Sequence, residues 1–75
     1  MKIASISEGS PAERAKLHVG DEILSVDGHE IRDVIDLKYY TYDARLRIRV
    51  LRPDGREHTV RVRKSEGEEL GIAFD

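Results

Sequence analysis

Acid-base and metal chemistry in this 75-residue chain would depend on His18, His29 and His58 together with the acidic side chains. The histidines are isolated from one another, and no pair of histidines or carboxylates has the spacing of metal ligands. No serine stands in the Gly-x-Ser-x-Gly pattern of a nucleophile, and the absence of cysteine excludes disulfides and thiolate chemistry. The sequence therefore predicts surface histidines, no catalytic residues, no metal and no cofactor.

Basic side chains are concentrated late in the chain. Residues 1–43 carry five Lys and Arg against nine Asp and Glu, whereas residues 44–75 carry eight against six. Such a cluster could bind nucleic acid, but an alternating strand places polar side chains outward in any case, and no aromatic residue for base stacking stands among them. We interpret the cluster as a solvated face and expect no nucleic-acid partner. Its members are Arg45, Arg47, Arg49, Arg52, Arg56, Arg61, Arg63 and Lys64.

Three tyrosines, Tyr39, Tyr40 and Tyr42, fall within four positions of a segment with helical periodicity. They could form a stacking platform for a ligand. An aromatic stripe on a helix is more often part of a core or of the wall of a groove. We favour the second interpretation.

The densest local signals lie in residues 9–28. Ser10 has the side chain of an N-cap, Pro11 suits the first helical position, and Glu13 stands three residues after the N-cap as in a capping box. These residues predict a helix from Ser10 to about Lys16. A turn at residues 20–21, a strand over residues 22–26 and a turn at residues 27–28 are predicted to follow.

Apolar alternation and helical spacing predict the remaining elements. Residues 45–52 alternate between apolar side chains and arginines, which indicates a strand with one buried face, and residues 53–55 supply a hairpin turn. Val34 and Leu37 recur at helical spacing after Asp33, which can cap a second helix. The predicted elements are strands over residues 3–7, 45–52, 57–63 and 70–74 and a helix over residues 33–42, with an exposed loop at residues 65–69.

Two motifs carry a resemblance to a known family. Gly-Ser-Pro-Ala stands at residues 9–12 and Gly-Asp-x-Ile-Leu-x-Val-Asp-Gly at residues 20–28, and this order resembles the PDZ domain of the bacterial kind found in periplasmic serine proteases. The chain also resembles, more weakly, the N-terminal PDZ-like segment of bacterial radical-SAM iron-sulfur proteins. The family often has glycine where Lys16 stands, at the end of the first helix.

The resemblance implies a small α+β fold, with a partly closed, mostly antiparallel sheet of about five strands and two helices. The elements are expected in circularly permuted order, within a single domain over residues 1–75 that is part of a longer protein. We expect a monomer. Because residues 1–5 lack the apolar segment of a secretory signal and no apolar run is long enough to span a membrane, we expect a cytoplasmic location and no membrane partner.

The last strand completes the resemblance and implies a binding site. The residues Glu69-Leu70-Gly71-Ile72 are similar to the carboxylate-binding loop Gly-Leu-Gly-Phe, which in animal PDZ domains comes near the N-terminus. The backbone N–H groups of Leu70, Gly71 and Ile72 would bind the carboxylate of a peptide C-terminus. The peptide would then continue as an added strand beside Ile72, Ala73 and Phe74.

The resemblance also assigns two positions of the second helix to the groove. Tyr40 would line the pocket for the last peptide residue, together with Leu70 and Ile72. Asp36 would meet the third-last residue and favour a hydrogen-bond donor or a cation there. The alternative, that Tyr40 and Ile72 belong to the core and Asp36 is solvated, stays open.

The loop departs from the family pattern in its charge. Glu69 replaces the first glycine, and Glu66 and Glu68 crowd the place where an anionic terminus would bind. Lys64, with Arg63 beside it, could offset this repulsion, although exposed charges contribute only about 1 kcal/mol or less each. Three partners therefore stay open: a free C-terminus, an internal peptide segment, and a neighbouring domain of the same polypeptide for which this domain is a structural or regulatory module.

Overall fold

The computed structural model describes residues 1–74, which form two α-helices and six β-strands in two antiparallel sheets. The elements are strand β1 (Ile3–Ile6), helix α1 (Pro11–Arg14), strand β2 (Glu22–Val26), strand β3 (His29–Glu30), helix α2 (Val34–Tyr40), strand β4 (Arg45–Leu51), strand β5 (Glu57–Arg63) and strand β6 (Ile72–Phe74). One sheet has the order β3-β2-β4-β5, and the other pairs β1 with β6. The predicted α+β class is confirmed, although the strands form two sheets and number six instead of about five.

The β4–β5 hairpin follows directly from the alternation of the sequence. Leu46, Ile48 and Val50 are buried on one face of β4, and Val62 and Val60 lie opposite the first two of them on β5. Each fully buried side chain of this kind stabilises the fold by about 1.5–3 kcal/mol. The hairpin therefore anchors the larger sheet to the core, as the sequence predicts.

The two sheets meet where β1 approaches the start of β2. Lys2 and Glu22 form an isolated antiparallel bridge. The Ile3 N–H donates to the Asp21 carbonyl (2.9 Å), and the Gly20 N–H donates to the Ile3 carbonyl (2.8 Å). On its other edge β1 pairs with β6 from Ile3 to Ile6. Strand β1 is thus bonded on both edges at Ile3, and this short contact is where the two sheets meet.

Helix α1 begins at the predicted cap. The Ser10 hydroxyl accepts a hydrogen bond from the Glu13 N–H (3.2 Å), and the Glu13 carboxylate accepts one from the Gly9 N–H (2.8 Å). The helix ends at Arg14, earlier than predicted, because Lys16 has a φ of 65°. A residue in this left-handed region ends an α-helix.

Helix α2 is also capped by its own side chains. The Asp33 carboxylate accepts a hydrogen bond from the Asp36 N–H (2.9 Å), and the Asp36 carboxylate accepts one from the Arg32 N–H (3.1 Å). These bonds satisfy donors that a helix N-terminus leaves free. The helix ends before Thr41, whose hydroxyl (2.6 Å) and N–H (3.0 Å) both donate to the Leu37 carbonyl.

Apolar side chains from both sheets and both helices form one buried cluster. Leu70, just before β6, belongs to it and is 5% exposed. The cluster therefore ties the last strand to the rest of the fold. Its members are Ile3, Ala12, Leu17, Ile23, Val26, Ile31, Leu37, Leu46, Ile48, Val50, Val60, Val62 and Leu70.

A buried ion pair lies beside this cluster. The Asp21 side chain is fully buried, and its Oδ2 lies 3.3 Å from Nη1 of Arg52 and accepts a hydrogen bond from the His18 N–H (2.9 Å). Arg52 therefore does not belong to the solvated basic face that the sequence predicts. It joins the end of β4 to the turn before β2.

All three histidines are exposed, as predicted. No helix among residues 1–74 is long and apolar enough to cross a membrane.

Candidate functional site

A groove with a volume of about 650 Å³ lies between helix α2 and strand β6. The lining residues that helix α2 contributes are three or four positions apart, so their side chains lie on one face of the helix. Leu37 is buried at the base of this face, whereas Val34 is 45% exposed. The groove is lined by Met1, Lys2, Val34, Leu37, Lys38 and Thr41 and by residues 69–74.

Strand β6 has a free edge, because among the described residues it pairs with β1 alone. The Ser7 N–H donates to the Gly71 carbonyl (2.7 Å), and Ser5 pairs with Ala73. Backbone groups in an antiparallel ladder alternate in direction from residue to residue, so the N–H and carbonyl of Ile72 point away from β1. Such unpaired groups are available to a further strand.

The loop before β6 presents two more free donors. Within residues 1–74 the N–H groups of Leu70 and Gly71 have no hydrogen-bond acceptor, while their carbonyls accept from the N–H groups of Ala12 (3.0 Å) and Ser7 (2.7 Å). Together with the outward N–H of Ile72, three successive residues therefore have donors available. A short run of free backbone N–H groups can hold an anion.

A family comparison covers one wall of the groove, helix α2, and ends before strand β6. Residues 2–52, more than half of the chain, match the family model described as PDZ domain. The chain belongs to the PDZ family. A sequence comparison with curated proteins gives no match. As a PDZ domain, the protein is in general terms an interaction module with protein or peptide partners, and PDZ domains are in general non-catalytic.

The structure brings together every strand residue that the sequence analysis assigns to the site of this PDZ domain. Glu69, Leu70, Gly71, Ile72, Ala73 and Phe74 all line the groove. Their role in peptide binding stays a prediction.

Helix α2 of the PDZ domain turns a different face to the groove from the one predicted. Asp36 and Tyr40 are not among the lining residues, whereas Leu37 and Thr41 are. The assignment is therefore corrected by one residue. Counting from the turn at residues 27–28 fixes the helix only to within a residue, and one residue rotates an α-helix by about 100°.

The tyrosines divide between core and solvent. Tyr40 packs against the buried cluster and stacks on His29, with ring centroids 4.3 Å apart and an angle of 11° between the rings. Tyr39 is 75% exposed and Tyr42 is 59% exposed. The interpretation as core is right for Tyr40. Tyr39 and Tyr42 are exposed and, together with Tyr40, line a second, open pocket of about 740 Å³, so they are wall residues and not core.

Lys64 does not line the groove, contrary to its predicted place in the carboxylate loop. Its ammonium donates to the carbonyls of Tyr42 (3.1 Å) and Ser65 (3.3 Å), and the side chain is buried. Lys64 thus holds the loop before β6 instead of facing a ligand. The Glu68 carboxylate also serves this loop, where it accepts a hydrogen bond from the Ser65 N–H (2.9 Å).

The groove of the PDZ domain contains two cations that the sequence analysis missed, Lys2 and Lys38. Glu69 is the acidic residue that lines it, whereas Glu66 and Glu68 do not. The helical repeat that begins at Val34 and Leu37 could have indicated Lys38. Nothing in the sequence indicates Lys2, because its place depends on the pairing of β1 with β6.

Among the described residues, no three His, Asp or Glu side chains lie close enough together to hold a metal ion. The groove lining itself offers backbone hydrogen bonds, apolar contact and the charges of Lys2, Lys38 and Glu69.

Proposed function

We propose that this PDZ domain binds an extended peptide segment, which adds as a strand to the free edge of β6 and faces helix α2. The unpaired backbone groups of Ile72, beside a groove with apolar walls, are the observation that supports this best. Membership of the PDZ family supports a protein or peptide partner. Such a site offers one strand and one pocket, so the dissociation constant should be about micromolar or weaker.

A free C-terminal carboxylate is the first candidate for the end of the ligand. The N–H groups of Leu70, Gly71 and Ile72 would hold it. Lys2 and Lys38 line the same groove and outnumber Glu69, so the charge of the lining is compatible with an anion. Lys38 also replaces Asp36 as the charged helix residue at the groove, so an acidic ligand side chain is favoured over a cationic one.

The second candidate is a neighbouring segment of the same polypeptide. Glu69 stands where the carboxylate would approach, and this favours a ligand without a terminal charge. In this case the domain would be a structural or regulatory module of a larger protein. Its assignment to the circularly permuted bacterial type is part of the proposal and is supported by the position of β6, the groove strand, after β5 in the chain.

Peptide titration distinguishes these candidates. The protein is titrated with a pool of peptides that have free or amidated C-termini, and the backbone amides of residues 70–73 are followed by NMR. Shifts with free C-termini alone support carboxylate recognition, and equal shifts with both pools support an internal segment. No shift in either pool contradicts peptide binding at this groove.

Helix α2 supplies a matched pair of variants for the same experiment. Val34 lines the groove and is 45% exposed, whereas Ile35 is 78% exposed and does not line it. Val34→Asn should weaken peptide binding by about ten-fold, since it places a polar amide against the apolar wall without changing the charge, while Ile35→Asn should leave it nearly unchanged. Equal losses in the two variants would exclude this wall as the binding surface.

A further inference from the structure

Four arginines form a square on the outer face of the β4–β5 hairpin. In the register of the two strands Arg45 lies directly opposite Arg63, and Arg47 lies directly opposite Arg61. All four side chains are exposed. We call these four residues the arginine square.

Almost no acidic group in the described part of the protein neutralises the positive charge of the arginine square. Within residues 1–74 none of its guanidinium groups forms an ion pair or a side-chain hydrogen bond, whereas Arg49 on the same strand lies 3.5 Å from the Glu57 carboxylate. A shallow pocket of about 300 Å³ is lined by the four arginines, Leu46 and Asp27. The Asp27 Oδ1 already accepts a hydrogen bond from the Arg47 N–H (2.9 Å). One carboxylate therefore stands against four guanidinium groups.

The fold does not require this arrangement. An outward strand position needs only a polar side chain, and Thr59 serves opposite Arg49 on the same face. Like charges directly opposite each other destabilise a sheet. Features that oppose the stability of a fold are expected at functional sites.

We propose that the arginine square binds an acidic segment of a partner protein. Guanidinium groups bind carboxylates through paired, charge-assisted hydrogen bonds. Side chains two residues apart on a strand are separated by about 6.6 Å, so an extended partner with acidic residues at alternate positions matches the two arginines of each strand. This surface shares no residue with the groove lining, and the inference does not depend on the proposed peptide binding.

An acidic protein segment fits better than nucleic acid. The pocket formed by the square contains no aromatic side chain on which a base could stack, whereas a carboxylate needs only the guanidinium groups.

The test uses an end-blocked oligoglutamate peptide as the probe and single-stranded DNA of equal charge as the comparison. Fluorescence anisotropy gives both affinities at low salt and at about 0.15 M ionic strength. The double variant Arg47→Gln with Arg61→Gln should bind the peptide about ten-fold more weakly than the unchanged protein. The control double variant, Arg32→Gln with Arg56→Gln, removes the same charge outside the square and should change the affinity by less than about two-fold.

Three results would overturn the proposal. In the first, the unchanged protein does not bind the peptide. In the second, the two double variants lose the same amount of affinity for the peptide. In the third, the unchanged protein binds the DNA more tightly than the peptide at the same ionic strength. The last result would assign the square to nucleic acid instead. Circular dichroism of both variants establishes that they are folded, and removing the repulsion leaves the hairpin intact.

Discussion

Gly71 is the residue at which the binding loop and helix α1 touch. It has a φ of 84°, and a Cβ built on it would lie 2.3 Å from the Cβ of Ser10. Ser10 is the N-cap of α1, so it has little freedom to move. The close approach lets the loop carbonyl of Leu70 accept the Ala12 N–H, and it therefore joins the candidate site to the scaffold.

Gly71→Ala should lower the free energy of unfolding by at least about 2 kcal/mol, from left-handed strain and the clash with Ser10. Urea denaturation measures this change. Ser10→Gly removes the clashing Cβ and as a cap substitution costs only a few tenths of a kcal/mol. The double variant should therefore be more stable than Gly71→Ala alone. If the double variant is no more stable than Gly71→Ala, the clash with Ser10 is not the cause of the lost stability.

Arg52 compensates the only fully buried carboxylate of residues 1–74, that of Asp21. Arg52→Met should lower the free energy of unfolding by about 3 kcal/mol, because it leaves the Asp21 carboxylate buried without its cation. Thermal or urea denaturation gives the value. Adding Asp21→Asn to Arg52→Met should recover part of the loss, since no unpaired charge then remains buried.

Arg56→Met is the matched control for this ion pair. Arg56 is exposed in the β4–β5 turn, so its substitution should change stability by no more than about 0.5 kcal/mol. If both variants lose a comparable amount of stability, the ion pair with Asp21 is not the reason why Arg52 stabilises the fold.

At the scale of elements, the backbone just after helix α1 adopts a conformation that is unfavourable for a residue with a side chain. Lys16 has a φ of 65°, where a Cβ costs about 1–2 kcal/mol and glycine has no such cost. Lys16→Gly should therefore raise the free energy of unfolding by about 1 kcal/mol. Lys16→Ala removes the same charge but keeps the Cβ, so it should give no gain. An equal gain in both variants would assign the effect to charge.

The elements that the sequence predicts best are those with strong local signals. The cap at Ser10 and the alternation in β4 and β5 depend on neighbouring residues, and the structure confirms both. The face of α2 was wrong by one residue, because Asp36 is used in the helix cap and Leu37 faces the groove. The helical repeat of Val34 and Leu37 is the local signal that indicates the correct face, whereas counting from the turn at residues 27–28 fixes the helix only to within a residue.

Long-range pairing accounts for most of what the sequence could not predict about the site. The role of Lys64 depends on its ammonium reaching the Tyr42 carbonyl, and the place of Lys2 depends on β1. Likewise, the opposition of arginines in the square follows from the register of β4 and β5, which alternation alone leaves open. The sequence shows which residues are charged, but it does not show which residues lie next to them in the folded protein.

At the scale of the whole molecule, the pairing of β1 with β6 brings distant parts of the chain together. Ile3 pairs with Phe74, so these two residues lie side by side at the same end of the β1–β6 ladder. The candidate groove is built on this pairing, whereas the β4–β5 hairpin is closed locally.

This geometry has a mechanical consequence. Tension applied between residues 3 and 74 loads the β1–β6 hydrogen bonds one after another, as in opening a zip, instead of shearing all of them at once. Ile3 is also hydrogen-bonded to residues 20 and 21 on its other edge. A force of this kind would therefore separate β6 from β1 one residue pair at a time and leave β1 bonded to the turn before β2.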